Sequence, residues 1–212
     1  MSVPGVQGRA FHFVWLLLAF WLASSALPEP VFDRTRARKL ESWKPQIQAY
    51  SKRHYGEDTW KLEPTCIVLH YTAGKSFPWN LVNSGSFLGE RPGLASHYII
   101  DGSKIWEVLP PNVRSRAAYG INHRAINIEM VAADAGDLAA RPQTLKSCAT
   151  LCRYLMSRFS LSVDKVYSHQ DVSAMDPSLI PEVRDRINSE PYGKVDPGEQ
   201  NMQTVLRLLQ SP

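Results

Sequence analysis

Cysteine is scarce: Cys66, Cys148 and Cys152 are the only three in 212 residues. That number excludes a small fold stapled by a disulfide framework. Cys66 falls in an apolar run and reads as a small buried hydrophobe. Cys148 and Cys152 lie four apart in a helical pattern with Leu145, Ala149, Leu155, Met156 and Phe159. One turn of helix presents their Cβ atoms poorly for a disulfide, so two packed thiols are expected. An excess of one charge is also lacking. Lys and Arg number 24 against 20 Asp and Glu, a formal net charge of +4. Without a basic stripe, nucleic acid is not an expected partner. No internal repeat and no low-complexity segment interrupts the chain. Long hydrophobic runs are lacking too, except at residues 11–22, which fall short of the roughly 20 residues of a membrane span. Arg9 precedes that run and Ala23-Ser24-Ser25-Ala26 follows it. Such an order reads as a secretory signal cut after about Ala26. No cysteine follows the small residues, so a bacterial lipoprotein is not indicated. The expected location is periplasmic or extracellular, and a membrane is a partner only if the segment stays uncleaved as an anchor.

What remains is ordinary for a soluble globular domain: 44% hydrophobic and 21% charged residues, in a length that suits one domain with extras. Residues 27–63 are polar, with Pro28 and Pro30 near their start, and read as an N-terminal extension or linker. A short helix is expected there over 45–52, contacting the body through Ile47 and Tyr50. Residues 64–212 form the expected main domain. Strand patterns fall at 66–70, 96–101, 104–109, 126–131 and 166–168, with a hairpin around Asp101-Gly102. Ile126, Ile128 and Met130 should share one face of their strand, and Asn127, Glu129 and Val131 the other. Helical patterns cover 143–159 and 199–209. The mixture predicts an α/β fold, a central mixed β-sheet flanked by helices, as a single domain.

The chemistry concentrates at strand ends, where open α/β sheets place ligands. His70 closes the run CIVLHYTAG, His169 closes KVYSHQDV, and Asp196 sits in the turn KVDPG. Two imidazoles and a carboxylate can hold a zinc ion with a fourth position open, as catalytic sites do. Asp171 and Asp176 are rivals to Asp196: the first is two residues from His169, and the second precedes Pro177. Glu129 has the alternative of an ordinary solvent-facing strand residue, and Lys194 that of an ordinary turn lysine.

In order, VLHYTAG, SHYIIDG, NHRAINIEMV, YSHQDV and KVDPG resemble the motifs of zinc-dependent N-acetylmuramoyl-L-alanine amidases of the amidase-2 type, relatives of the peptidoglycan recognition proteins. The resemblance covers about residues 64–210. It implies hydrolysis of the amide between N-acetylmuramic acid and the stem-peptide L-alanine, with peptidoglycan or a muropeptide as substrate and Zn2+ as cofactor. Carried over by position, His70, His169 and Asp196 match the zinc ligands, Glu129 the acidic general base and Lys194 the oxyanion-stabilising cation. Two departures stand out. Residues 175–192 form an insertion before Asp196, expected to be helical over 180–187. Ala118-Tyr119 stands where many relatives carry Trp-His. Ser96-His97-Tyr98 reads as core packing with a satisfied imidazole. The alternatives are a peptidoglycan-binding module without catalysis, expected where zinc ligands are lost, and a zinc hydrolase acting on another amide.

Overall fold

The computed structural model describes residue 1, residues 27–184 and residues 191–211. The leader expected over 1–26 therefore falls, apart from residue 1, outside the described residues.

Five strands form one mixed sheet among the described residues: β1 (Cys66–Tyr71), β2 (Tyr98–Asp101), β3 (Lys104–Glu107), β4 (Ala125–Met130) and β5 (Val166–Ser168), in the order β3-β2-β4-β1-β5. Only the β2–β3 hairpin is antiparallel. Its turn follows Asp101, and Gly102 supplies the positive φ of 58° that the reversal requires. Strand ends differ from the sequence expectation by one to two residues, as hydrogen-bond bounds commonly do.

Alternation along the strands divides the molecule into two halves. Ile67 and Leu69 of β1, Tyr98 and Ile100 of β2, and Ile126, Ile128 and Met130 of β4 face one way and form the main core. Helices α4 (Pro142–Phe159) and α6 (Glu199–Gln210) close over them. α4 begins with a proline at its first position, where no intrahelical donor is lost, and buries Leu145, Cys148, Leu151, Cys152 and Leu155 in one stripe. All three cysteines are buried thiols. The opposite face carries Cys66, Val68 and His70 of β1 beside Asn127 and Glu129 of β4, and this face holds the site.

The segment 27–63 is more tightly built in than a linker would be. Its helix α1 runs over Leu40–Tyr55, longer than expected, and buries Trp43, Ile47, Tyr50 and Tyr55. These rings and Ile47 pack with Ala95, Leu109 and Val113, and the Trp43 indole N–H donates to the Arg114 carbonyl at 2.8 Å. Glu57, just past the helix, pairs with Arg114, Arg124 and Arg184. Four short elements escaped the periodicity: α2 (Trp79–Val82), α3 (Ala135–Ala139), a 3-10 turn at Val163–Lys165 and α5 (His169–Ser173). Each is too short to show a repeating apolar stripe. The helix expected over 180–187 is absent from its described part, because 181–184 is turn and irregular chain; 185–187 lie outside the described residues. Among the described residues no helix is long and apolar enough to cross a membrane.

Trp43 is 2% exposed, so Trp43→Ala should cost about 3–5 kcal/mol. Urea denaturation should show it as a lower midpoint in a single transition. An unchanged midpoint would mean that α1 does not belong to the cooperative unit.

Candidate metal centre

Three parallel strands deliver the site at their C-terminal ends. β1 and β4 pair so that His70 stands directly beside Glu129. β5 pairs with β1 through Leu69 and Ser168, which puts His169 next to the same edge. His169 is the first residue of α5 rather than the last of a strand. The Ser168 side chain accepts the Asp171 N–H, and the Asp171 carboxylate accepts from the Ser168 backbone, a reciprocal cap that starts the helix there.

Asp196 arrives on the turn before α6. Gly198 holds φ at 87°, and a Cβ on it would lie 2.7 Å from that of Ala135, so only glycine fits. Asn201 donates to the carbonyls of Ala135 and Pro197, and Gln170 N–H donates to the carbonyl of Asp196. The turn is thus tied to α3, α5 and α6 together.

The structure brings all three expected ligands into one buried triangle. His70 Nδ1 lies 3.0 Å from His169 Nδ1 and 3.1 Å from Asp196 Oδ2, and His169 Nδ1 lies 2.9 Å from Asp196 Oδ2. Both rivals are engaged elsewhere. Asp171 caps α5, and Asp176 closes a turn by accepting from Ser178.

The donor set fits a cation. His70 Nε2 faces Asn127 Oδ1 at 3.0 Å, while the Asn127 amide nitrogen donates to Ser115 Oγ. Nε2 therefore carries the proton of a neutral ring, and Nδ1 presents a lone pair. Tyr192 Oη donates to the Tyr119 carbonyl at 3.0 Å and lies 3.2 Å from His169 Nε2. Three lone-pair atoms then converge with edges near 3 Å, mutually repulsive unless a positive charge lies among them. A tetrahedral zinc with bonds of 2.0–2.1 Å needs a ligand edge of about 3.3 Å, close to the triangle found. Outward hydrogen bonds that fix ring and tautomer are the usual support of metal-binding histidines.

Titration reflects the same crowding. Burial opposes charge on His70, yet Asp196 and Glu129 raise its pKa above the ordinary value. Burial, then His70, pushes His169 down to about 4. Burial works against the Asp196 carboxylate, but both histidines hold its pKa far below the ordinary range.

Glu129 stands beside the triangle. Its Oε2 is buried without a hydrogen-bond partner among the described residues, and burial raises its pKa. It is not the solvent-facing strand residue that alternation alone allows. Lys194 is exposed at the rim. Both line a cleft of about 380 Å³ with the three candidate ligands. A second lobe of about 630 Å³ adjoins it, sharing Leu94, Ala117, His169 and Lys194. Tyr50 and His54 of α1 wall that lobe with Tyr119 and Tyr192. Among the remaining polar candidates, His97 is satisfied in the core by the Val113 carbonyl and the Asn127 N–H. Asn122 accepts from the N–H groups of Ala117 and Ala118. His123 stacks on Tyr55 at 4.2 Å.

Sequence reasoning assigned no site role to two residues. Asn127 shares the inward face with Glu129, two residues away, so strand alternation marks its direction but not its partner. Tyr192 has no local signal, since its contact with His169 exists only in the folded chain.

Fold and site together define a hydrolase: converging metal-type donors and a half-buried carboxylate lining an open cleft. The N-acetylmuramoyl-L-alanine amidase family matches residues 60–199, and the chain belongs to that family of peptidoglycan amide hydrolases. Among solved structures, a mutant of PlyL is similar at a TM-score of 0.50 with 14% identity, over 77% of this chain and 94% of that one. It shares the fold. The N-acetylmuramoyl-L-alanine amidase endolysin LysCS from Clostridium intestinale URNW is 26% identical over 52% of this chain and 72% of that one, with a TM-score of 0.46. The Ph2119 endolysin from Thermus scotoductus MAT2119 bacteriophage Ph2119 is 17% identical over 70% of this chain and 86% of that one, with a TM-score of 0.48. No curated protein matches the chain.

Asp196→Ala should abolish stoichiometric metal uptake measured by elemental analysis. Asp171→Ala should keep the metal and lose about 1 kcal/mol of stability with its cap. The reverse pattern would transfer the ligand role to Asp171.

Proposed function

We propose that the chain is a zinc-dependent amidase, in which His70, His169 and Asp196 hold the ion and Glu129 and Lys194 assist hydrolysis of the muramoyl–L-alanine bond. The observation that carries this reading is the triangle of three lone-pair donors beside an unpartnered carboxylate. Bound there, zinc would supply Lewis acidity toward the amide carbonyl and lower the pKa of water toward 7.

The chain's own groups supply the rest. Glu129, desolvated and kept basic by no hydrogen bond, takes a proton from the attacking water and returns it to the leaving amine of L-alanine. Its raised pKa brings it nearer the range in which a carboxyl can do both. Lys194 reaches over the cleft from the turn that carries Asp196 and offers its ammonium to the oxygen on which negative charge develops. Asn127 keeps His70 aligned. A binding module without catalysis has no support here, because every expected ligand and both assisting residues line one cleft.

Location belongs to the same proposal. The apolar run at 11–22, with Arg9 before it and small residues after it, supports export to the periplasm or beyond, where the polymer substrate lies. Cell fractionation and mass measurement of the mature N-terminus test this. Cytoplasmic protein retaining its first residues would overturn it.

The central test is digestion of purified muropeptides with metal content measured on the same sample. Free stem peptide beginning with L-alanine is expected, with loss of activity on chelation and recovery with zinc. Glu129→Ala should reduce turnover by at least about 100-fold and leave bound zinc unchanged. Retained turnover would sink the general-base role.

A further inference from the structure

The sequence reads 175–192 as an insertion, and its described residues, 175–184 and 191–192, make contacts beside the site. Ile180 and Val183 pack with Val68 and Val172 in a buried cluster on the site face of the sheet. Arg184 N–H donates to the Gly120 carbonyl, and Glu182 accepts from Lys165 and Tyr167. The segment then returns at Tyr192, whose backbone N–H donates to the Ser173 carbonyl at 2.9 Å. Ser173 ends α5, the helix that His169 begins.

The return places one phenol between two partners of opposite kind. The Tyr119 carbonyl can only accept, and it lies 3.0 Å from Tyr192 Oη. The phenol has a single proton, which goes to that carbonyl. Its oxygen then faces His169 Nε2, 3.2 Å away, as an acceptor. The Tyr192 ring also meets the His169 imidazole edge-on, with centroids 5.8 Å apart. Hydrogen bond and ring contact together set both the tautomer and the tilt of His169.

We propose that Tyr192 is a positioning residue for the metal centre: by accepting the Nε2–H of His169, it keeps Nδ1 unprotonated and aimed at the ion. The inference deepens the zinc reading and rests on it. It also separates the two histidines: His70 is oriented from within the sheet by Asn127, and His169 from outside it by the insertion. Outer hydrogen-bond partners of metal-binding histidines typically contribute 10- to 100-fold in affinity.

The test uses the full-length protein and its Tyr192→Phe variant, which keeps the ring and removes only the acceptor. In the metal-free protein, long-range proton–nitrogen NMR should show His169 with its proton on Nε2. In Tyr192→Phe the Nδ1–H form should gain population. Zinc affinity, measured by competition with a chromophoric chelator, should fall by about 10- to 100-fold, and Tyr192→Gln, which restores an acceptor, should recover part of it. Thermal unfolding of the metal-free forms provides the control. Equal tautomer populations and equal affinity in wild type and Tyr192→Phe would overturn the proposal and leave the zinc reading intact. Failure of the wild type itself to bind zinc would overturn that reading, while the tautomer measurement would still report on Tyr192.

Discussion

The parallel pairing of β1 with β4 governs the rest of the molecule. It sets His70 and Glu129 side by side on one face of the sheet. The same register turns Leu69 and Ile128 into the core on the other face. A slip by one residue would exchange the faces, placing the imidazole and carboxylate in the hydrophobic core and the leucine and isoleucine in the cleft. The penalty for such an exchange falls on several residues at once, so the register is strongly specified. The chemical pair inherits its precision from apolar packing that never touches substrate.

Around that pair, the elements that complete the site are held by different forces. α5 starts where it does because Ser168 and Asp171 cap one another, and this fixes where His169 emerges. The Asp196 turn is held by the backbone freedom of Gly198 and by the two hydrogen bonds of Asn201. α1 is held by buried rings and by the Glu57–arginine cluster. It thereby lends Tyr50 and His54 to the wall of the second lobe. That helix lies outside the residues matched to the amidase family. The lobe beside the candidate metal centre therefore combines residues from inside and outside the matched stretch.

Much of this was legible in the sequence, for physical reasons that differ by element. The strands announced themselves because buried parallel strands are continuous apolar runs. α4 and α6 did so because a long helix repeats its core stripe several times. α1 was read too short, and as part of a linker, because charged residues dilute its few buried contacts: Trp43, Ile47, Tyr50 and Tyr55 are separated by Lys44, Gln46, Lys52 and Arg53. The three residues that the fold gathers into the triangle were marked by motif order. The choice among Asp171, Asp176 and Asp196 was not, because each sits in a plausible local context. Only the fold shows the first as a helix cap and the second as a turn former. The partners Asn127 and Tyr192 remained hidden because a hydrogen bond across 57 or 23 residues leaves no local pattern.

The triangle also carries an energetic consequence. Buried polar atoms that point lone pairs at one another oppose folding, since neither water nor a donor relieves them. Asn127 behind His70 and Tyr192 beside His169 hold the two rings so that they do not turn away from each other. A cation entering the triangle removes the repulsion and gains the full attraction of all three donors, with little reorganisation to oppose it. Its binding energy then appears as stability of the folded chain. Asn127, Tyr192 and the Gly198 turn thus keep three lone pairs directed at one point, a geometry that suits a cation better than a looser trio would.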